Sequence, residues 1–180
     1  MRLFIAVDLP LEVKKYLSSL KGRFSQKGKI AWVKEENLHV TLKFLGEVDE
    51  TRTADIIRRL SDIQFVKFSL TLSQLGFFPS ENAPQIFWVN FIDPSGLEKI
   101  SQDLGGNLKE FKNDHPFQDH VTLARIKKLS LEEKNNFLKE AKRIYLEGQS
   151  FVVEEFTMYR SILSQEGSKY GAISRFRAQK

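Results

Sequence analysis

Two stretches of this sequence could do chemistry together, and they are the same stretch: His39-Val40-Thr41-Leu42 and His120-Val121-Thr122-Leu123. The chain has only three histidines in 180 residues. At ordinary residue usage, two matching tetrapeptides by chance have odds on the order of one in a thousand. An unperturbed imidazole titrates near ~6.5, so two of them facing one small ligand can divide acid and base work near neutral pH. The neutral ring takes a proton from water, and the charged one gives a proton to a leaving oxygen. In an extended strand each Thr shares the face of its His, ~6.5–7 Å further along. Each hydroxyl can then donate to a non-bridging oxygen. Two such hydroxyls in approximate symmetry suit a phosphodiester, which has two non-bridging oxygens between two ester oxygens. In-line displacement needs the acid and the base on opposite sides of phosphorus, as duplicated elements would place them.

Blander readings weigh less. A lone strand histidine is usually structural, but identical contexts argue against two coincidences. A metal site would need a third ligand, and neither motif carries an adjacent HxxE or HxH. No metal and no cofactor are therefore expected. His115 lies in a polar loop before Pro116 and reads as a surface residue. Ser161 has no Gly-x-Ser-x-Gly elbow to make it a nucleophile.

The elements that must position the motifs follow from periodicity. Residues 2–8 read as a strand. Pro10 opens a helix with Val13, Leu17, Leu20 and Phe24 as its apolar stripe. The first motif falls in a strand over 38–45. Strict alternation there puts Leu38, Val40, Leu42 and Phe44 on an apolar face and His39, Thr41 and Lys43 on a polar one. Asp49 caps a second helix marked by Ala54, Ile57, Leu60 and Ile63. A strand over 68–75 ends in an aromatic turn at 76–79. The plan then repeats. A strand over 85–91 leads to a helix with Leu97, Ile100, Leu104 and Leu108 inside. The second motif strand covers 120–126. Ser130 and Glu133 form a capping box for a helix with Leu131, Leu138, Ala141 and Tyr145 inside. One long strand covers 151–161, then Glu166-Gly167 turns into a last strand over 170–176.

This is an α+β chain, read as a single domain of two pseudo-repeats, about 2–79 and 85–162, with a closing strand. Such a duplication predicts two antiparallel-rich sheets, helices outside, whose polar faces meet across a central cleft that holds both histidines. Composition agrees with a globular protein: 41% hydrophobic, 28% charged, fifteen Phe. No apolar run reaches the ~20 residues that span a bilayer, so no membrane is expected. The absence of Cys excludes disulfides, thiolate catalysis and Cys-ligated zinc, and fits a cytoplasmic location. A net charge of +5 is compatible with a phosphate-rich partner but does not require one.

The chain resembles the two-histidine phosphoesterases, specifically the RNA 2′,3′-cyclic phosphodiesterases first described as 2′-5′ RNA ligases. The resemblance is carried by Arg-Leu-Phe-Ile-Ala-Val at 2–7, Trp32-Val33, Asn-Leu-His-Val-Thr-Leu-Lys-Phe-Leu-Gly at 37–46, the Gly-Phe-Phe-Pro turn at 76–79, and 117–125. It covers nearly the whole chain and implies a bilobal fold with a basic cleft. It implies that His39 is the proton donor to the leaving 3′ oxygen and His120 the proton acceptor that activates water. Thr41 and Thr122 would hold the phosphate, and the product would be an RNA 2′-phosphomonoester, with reverse ligation allowed by the same site. The implied partners are RNA or tRNA fragments with 2′,3′-cyclic phosphate ends, with no obligate protein partner and a monomeric state. Phe4, Phe78 and Tyr159 are candidates to stack a base. Arg125 is a candidate phosphate contact, although alternation points it away from His120. Asp119 stands where many members have Pro. An RNA-end-binding module with little turnover, or a phosphodiesterase for another cyclic phosphate or a 2′-5′ linked nucleotide, are the alternatives.

Overall fold

The computed structural model describes residues 1–25, 28–112, 115–146, 148–164 and 167–179. Glu166, half of the expected last turn, lies outside the described residues. The apolar first strand forms β1 (Arg2–Asp8), with Leu3 to Val7 all buried. Val13 and Leu17 of α1 (Leu11–Ser19) pack into the core, and a 3-10 turn carries the stripe on to Leu20. β2 (Lys29–Trp32) follows, then the first motif strand, β3 (His39–Glu47). The Asp49 carboxylate caps α2 (Glu50–Ser61) by accepting from Thr51 N–H at 2.9 Å. Ile56 and Leu60 are its buried residues; Ala54, expected inside, is exposed.

β4 (Phe68–Phe78) runs three residues beyond expectation, so Phe77 and Phe78 are strand residues ahead of a cis peptide at Pro79. β5 (Ile86–Phe91) and α3 (Ser95–Asn107) lead to the second motif strand, β6 (Val121–Lys128). The Ser130–Glu133 capping box starts α4 (Leu131–Lys142) as expected. Its inner residues are Phe137 and Ala141, while Leu131 and Tyr145 are exposed. Phe137, which the expected stripe leaves out, stacks on Phe24 at 4.5 Å.

The expected long strand over 151–161 is two strands, β7 (Ser150–Val153) and β8 (Glu155–Ser164), parted only by Glu154. The chain ends in β9 (Gly167–Arg177). The strands form a mostly antiparallel sheet in the order β7-β4-β5-β6-β3-β1-β8-β9, with β2 beside β6. One hydrogen-bonded path thus replaces the expected pair of sheets, and its two motif strands meet at one residue pair, Val40 opposite Val121. β4, from the first half of the chain, pairs with β5; β8, from the second, pairs with β1. Apolar alternation shows which face a strand buries. It does not show which neighbour the strand joins.

β7 and β8 sit far apart in that order yet are neighbours in sequence. Ala178 N–H donates to Glu154 O at 2.8 Å, and Gln179 N–H to Phe65 O at 2.9 Å. The two ends of the path therefore come together and the sheet curls. Gly76 shows how tightly one face is packed. A Cβ there would lie 2.3 Å from the Trp88 ring, which crosses the β4 backbone. An alanine would have to displace the indole, at about 1–3 kcal/mol.

Candidate active site

The two motif strands carry the same irregularity at the same place. Ala6 pairs with Thr41 but Ile5 with Lys43, so Leu42 is an extra residue in β3. Trp88 pairs with Thr122 but Phe87 with Ala124, so Leu123 is an extra residue in β6. Each bulge resets the alternation that follows it. Lys43 thereby joins the buried side opposite Ile5 and is 5% exposed, not a member of the histidine face. Burial pushes its ammonium below the usual lysine range, and the Glu110 carboxylate opposes this. Phe44, expected among the core residues, emerges on the histidine face opposite Phe4. Arg125 does the same in β6. It pairs with Ile86, two residues from Trp88, and so shares the face of Thr122 and His120. The expectation that it points away from His120 is therefore corrected by the bulge.

The Val40–Val121 pair sets the geometry of the motifs. The antiparallel sense puts His39 across from Thr122, and Thr41 across from His120. The two histidines are diagonal neighbours, about 7–8 Å apart at their backbones. Each ring is oriented by the carbonyl two residues before it. His39 Nδ1–H donates to Asn37 O at 2.6 Å, and His120 Nδ1–H donates to Gln118 O at 2.9 Å. A carbonyl only accepts, so Nδ1 carries the proton in both rings and Nε2 is left as the working nitrogen. His39 Nε2 meets Thr41 Oγ1 at 3.0 Å. His120 Nε2 has no hydrogen-bond partner among the described residues.

Burial pushes the His39 imidazole below the ordinary histidine value of 6.5; the bond to Asn37 and the Asp8 carboxylate oppose this, while Lys14 and His120 add to it. Burial also lowers His120, opposed by Gln118 and Asp119 and assisted by the Arg125 guanidinium. Asp8 pairs with His39 across β1 and β3 and is bound by Lys14 Nζ at 2.7 Å. Asp119 accepts from Phe91 N–H at 3.1 Å, which ties the start of β6 to β5.

Aromatic rings enclose both imidazoles. Phe4 lies 5.1 Å from His39 and stacks on Tyr159 at 5.4 Å. Tyr170, which the sequence pattern does not single out, packs edge-on 4.9 Å from Phe4 and 5.3 Å from His39. Phe78 stands edge-on to His120 at 5.0 Å and against Trp88 at 5.0 Å. All the expected aromatics therefore touch a motif histidine or the ring beside it. A cavity of about 220 Å³ opens beside His39, lined by Phe4, Tyr159 and Tyr170 with Asp8, Glu36 and Arg175 among its polar groups. Among the described residues no three His, Asp or Glu side chains converge on one point that could hold a metal ion. No helix among them is long and apolar enough to cross a membrane.

Residues 7–88 match the model of the LigT-like phosphoesterases. A protein of Archaeoglobus fulgidus named RNA 2′,3′-cyclic phosphodiesterase is 31% identical, over 94% of this chain and 96% of its own length. One of Thermotoga maritima with the same name is 33% identical, over 96% and 93%. Among solved structures, a Thermus thermophilus protein superposes with a TM-score of 0.83 at 28% identity, covering 98% of this chain and 97% of its own. The Escherichia coli protein LigT complexed with 3′-AMP superposes with a TM-score of 0.79 at 25% identity, covering 99% and 98%.

Proposed function

The chain belongs to the LigT-like phosphoesterase family, and we propose that it hydrolyses RNA 2′,3′-cyclic phosphate ends to 2′-phosphomonoesters by metal-independent two-histidine catalysis. The observation that carries this reading is the diagonal pair of His-x-Thr units across the Val40–Val121 joint, each ring held with Nε2 free of its backbone bond. The full-length relatives named RNA 2′,3′-cyclic phosphodiesterase support the substrate.

The cyclic phosphate lies over the joint, with a Thr41 and a Thr122 hydroxyl each donating to a non-bridging oxygen. His120 Nε2 takes a proton from water as the water oxygen bonds to phosphorus. The P–O3′ bond breaks on the opposite side, and O3′ takes the proton from His39 Nε2–H. The ester to O2′ survives, so the product is a 2′-phosphomonoester. The rings finish with exchanged protonation and reset through solvent. An RNA 5′-hydroxyl in the place of water would give a 2′-5′ linkage by the same proton path. Tyr159 flanks the terminal base on the His39 side, backed by the buried Phe4. Phe78 shields His120, and Arg125 adds positive charge beside the phosphate. The matched bulges and strand order support one duplicated unit, residues 2–79 and 85–162, with β4 and β8 exchanged between the two halves of the curled sheet.

The pH profile tests the division of labour. The active free enzyme holds one imidazole neutral and the other charged. Burial lowers both from 6.5, so protons leave both rings on the acid side of that value. The profile of kcat/KM is expected to be bell-shaped with its maximum below 6.5, the two limbs belonging to the pair. A bound phosphodiester anion favours the charged ring, so the kcat profile should extend to higher pH. A single sigmoid limb in kcat/KM across pH 4–9 would contradict two-histidine catalysis.

A further inference from the structure

Phe44 is 59% exposed on the face that carries both histidines. It ends a lateral row of rings. Phe4 of β1 pairs with Tyr159 of β8 on one side and with Phe44 of β3 on the other. Tyr159 and Phe4 are stacked at 5.4 Å and 19°, and Phe4 and Phe44 are tilted at 6.3 Å and 41°. The Tyr159 end borders the cavity beside His39; the Phe44 end lies in the open, about two strand spacings or 10 Å away.

Among the described residues Phe44 is left mostly uncovered, although it touches a ring that contacts His39 itself. An exposed aromatic continuous with a binding site is a stacking platform, and every nucleobase has a face that such a ring can take. The charge nearby fits a nucleic-acid strand. Arg2, two residues from Phe4 on the same strand face, is exposed and can meet a phosphate. Glu47, the acid across from Arg2, is held 3.6 Å from the chain's own amino terminus.

We propose that Phe44 stacks the base of the nucleotide preceding the cyclic end, with Arg2 beside the connecting phosphate, so that the site selects an RNA chain over a mononucleotide. This rests on the proposed function and names the substrate form that the site prefers. The second half supports a dedicated role. Its equivalent position, one step past the matching bulge, carries Arg125, so the strand geometry itself does not require an aromatic there.

The test compares a nucleoside 2′,3′-cyclic phosphate with a trinucleotide ending in the same cyclic group. Wild-type protein is expected to favour the trinucleotide roughly ten-fold in kcat/KM. Phe44→Ala and Phe44→Leu should bring that ratio close to one, and Phe44→Trp should keep it. Tyr145→Ala, an exposed aromatic far from the cleft residues in sequence and unpaired to them in the sheet, should keep the wild-type ratio. A wild-type ratio near one, or an unaltered ratio in Phe44→Ala, overturns the inference while leaving the catalytic reading in place. Hydrolysis of neither substrate overturns both.

Discussion

Replacement of His120 by alanine is expected to lower kcat for hydrolysis of a 2′,3′-cyclic phosphate end by about 10³-fold, and replacement of His39 by a similar factor. Each ring supplies one proton transfer, and the two carboxylates that act on the rings, Asp8 and Asp119, are engaged elsewhere. Asp8 is engaged by Lys14 at 2.7 Å and by Leu9 N–H at 3.0 Å, and Asp119 by Phe91 N–H at 3.1 Å. His115 is exposed in a loop and should be replaceable without effect. The two losses should differ in one diagnostic way. A phosphodiester with a nitrophenol leaving group needs no protonation as it departs. On that substrate His39→Ala should recover most of its activity, while His120→Ala, still lacking the base, should not. Equal recovery by both variants would show that the donor and acceptor roles are assigned wrongly.

The second large effect is expected at the hydroxyls. Thr41→Val and Thr122→Val each keep the shape of the side chain and remove one donor to phosphate. Loss of one such donor costs about 10² in kcat. Serine at either position should restore most of the rate. Thr41 has a second job, because its hydroxyl meets His39 Nε2 at 3.0 Å. Thr41→Val should therefore also move the pH profile, whereas Thr122→Val should lower the rate at every pH alike. If steady-state kinetics find both variants within two-fold of wild type in kcat, the hydroxyls do not hold the phosphate.

The site is legible in the sequence largely because it is written twice. Two identical tetrapeptides with alternating polarity give away the strand, the face and the chemistry together. The capping residues Asp49 and Ser130 are equally readable, since a cap involves only one side chain and the next turn. What alternation does not convey is the bulge after each motif. One extra residue, Leu42 or Leu123, reverses the residues that follow it, in β3 until a second shift at Leu45. That is why alternation alone puts Lys43 on the wrong side, counts Phe44 as core and turns Arg125 away from His120. A bulge is a mismatch between two strands, so one strand's pattern does not contain it. The exchange of β4 and β8 between halves is hidden for the same reason. The break at Glu154 is different, because the apolar phase shifts there, from Phe151 and Val153 to Phe156 and Met158 across Glu154-Glu155, so the passage between distant strands leaves a local trace. Tyr170 carries no local signal, because its value comes only from β9 folding back along β8.

The most direct test of the central claim is phosphorus NMR of one turnover reaction, run with excess EDTA on a short RNA ending in a 2′,3′-cyclic phosphate. The cyclic signal is expected to give way to that of a 2′-phosphomonoester alone, at a rate indifferent to the chelator. A 3′-phosphomonoester, or a cyclic signal that persists only when EDTA is present, would contradict it.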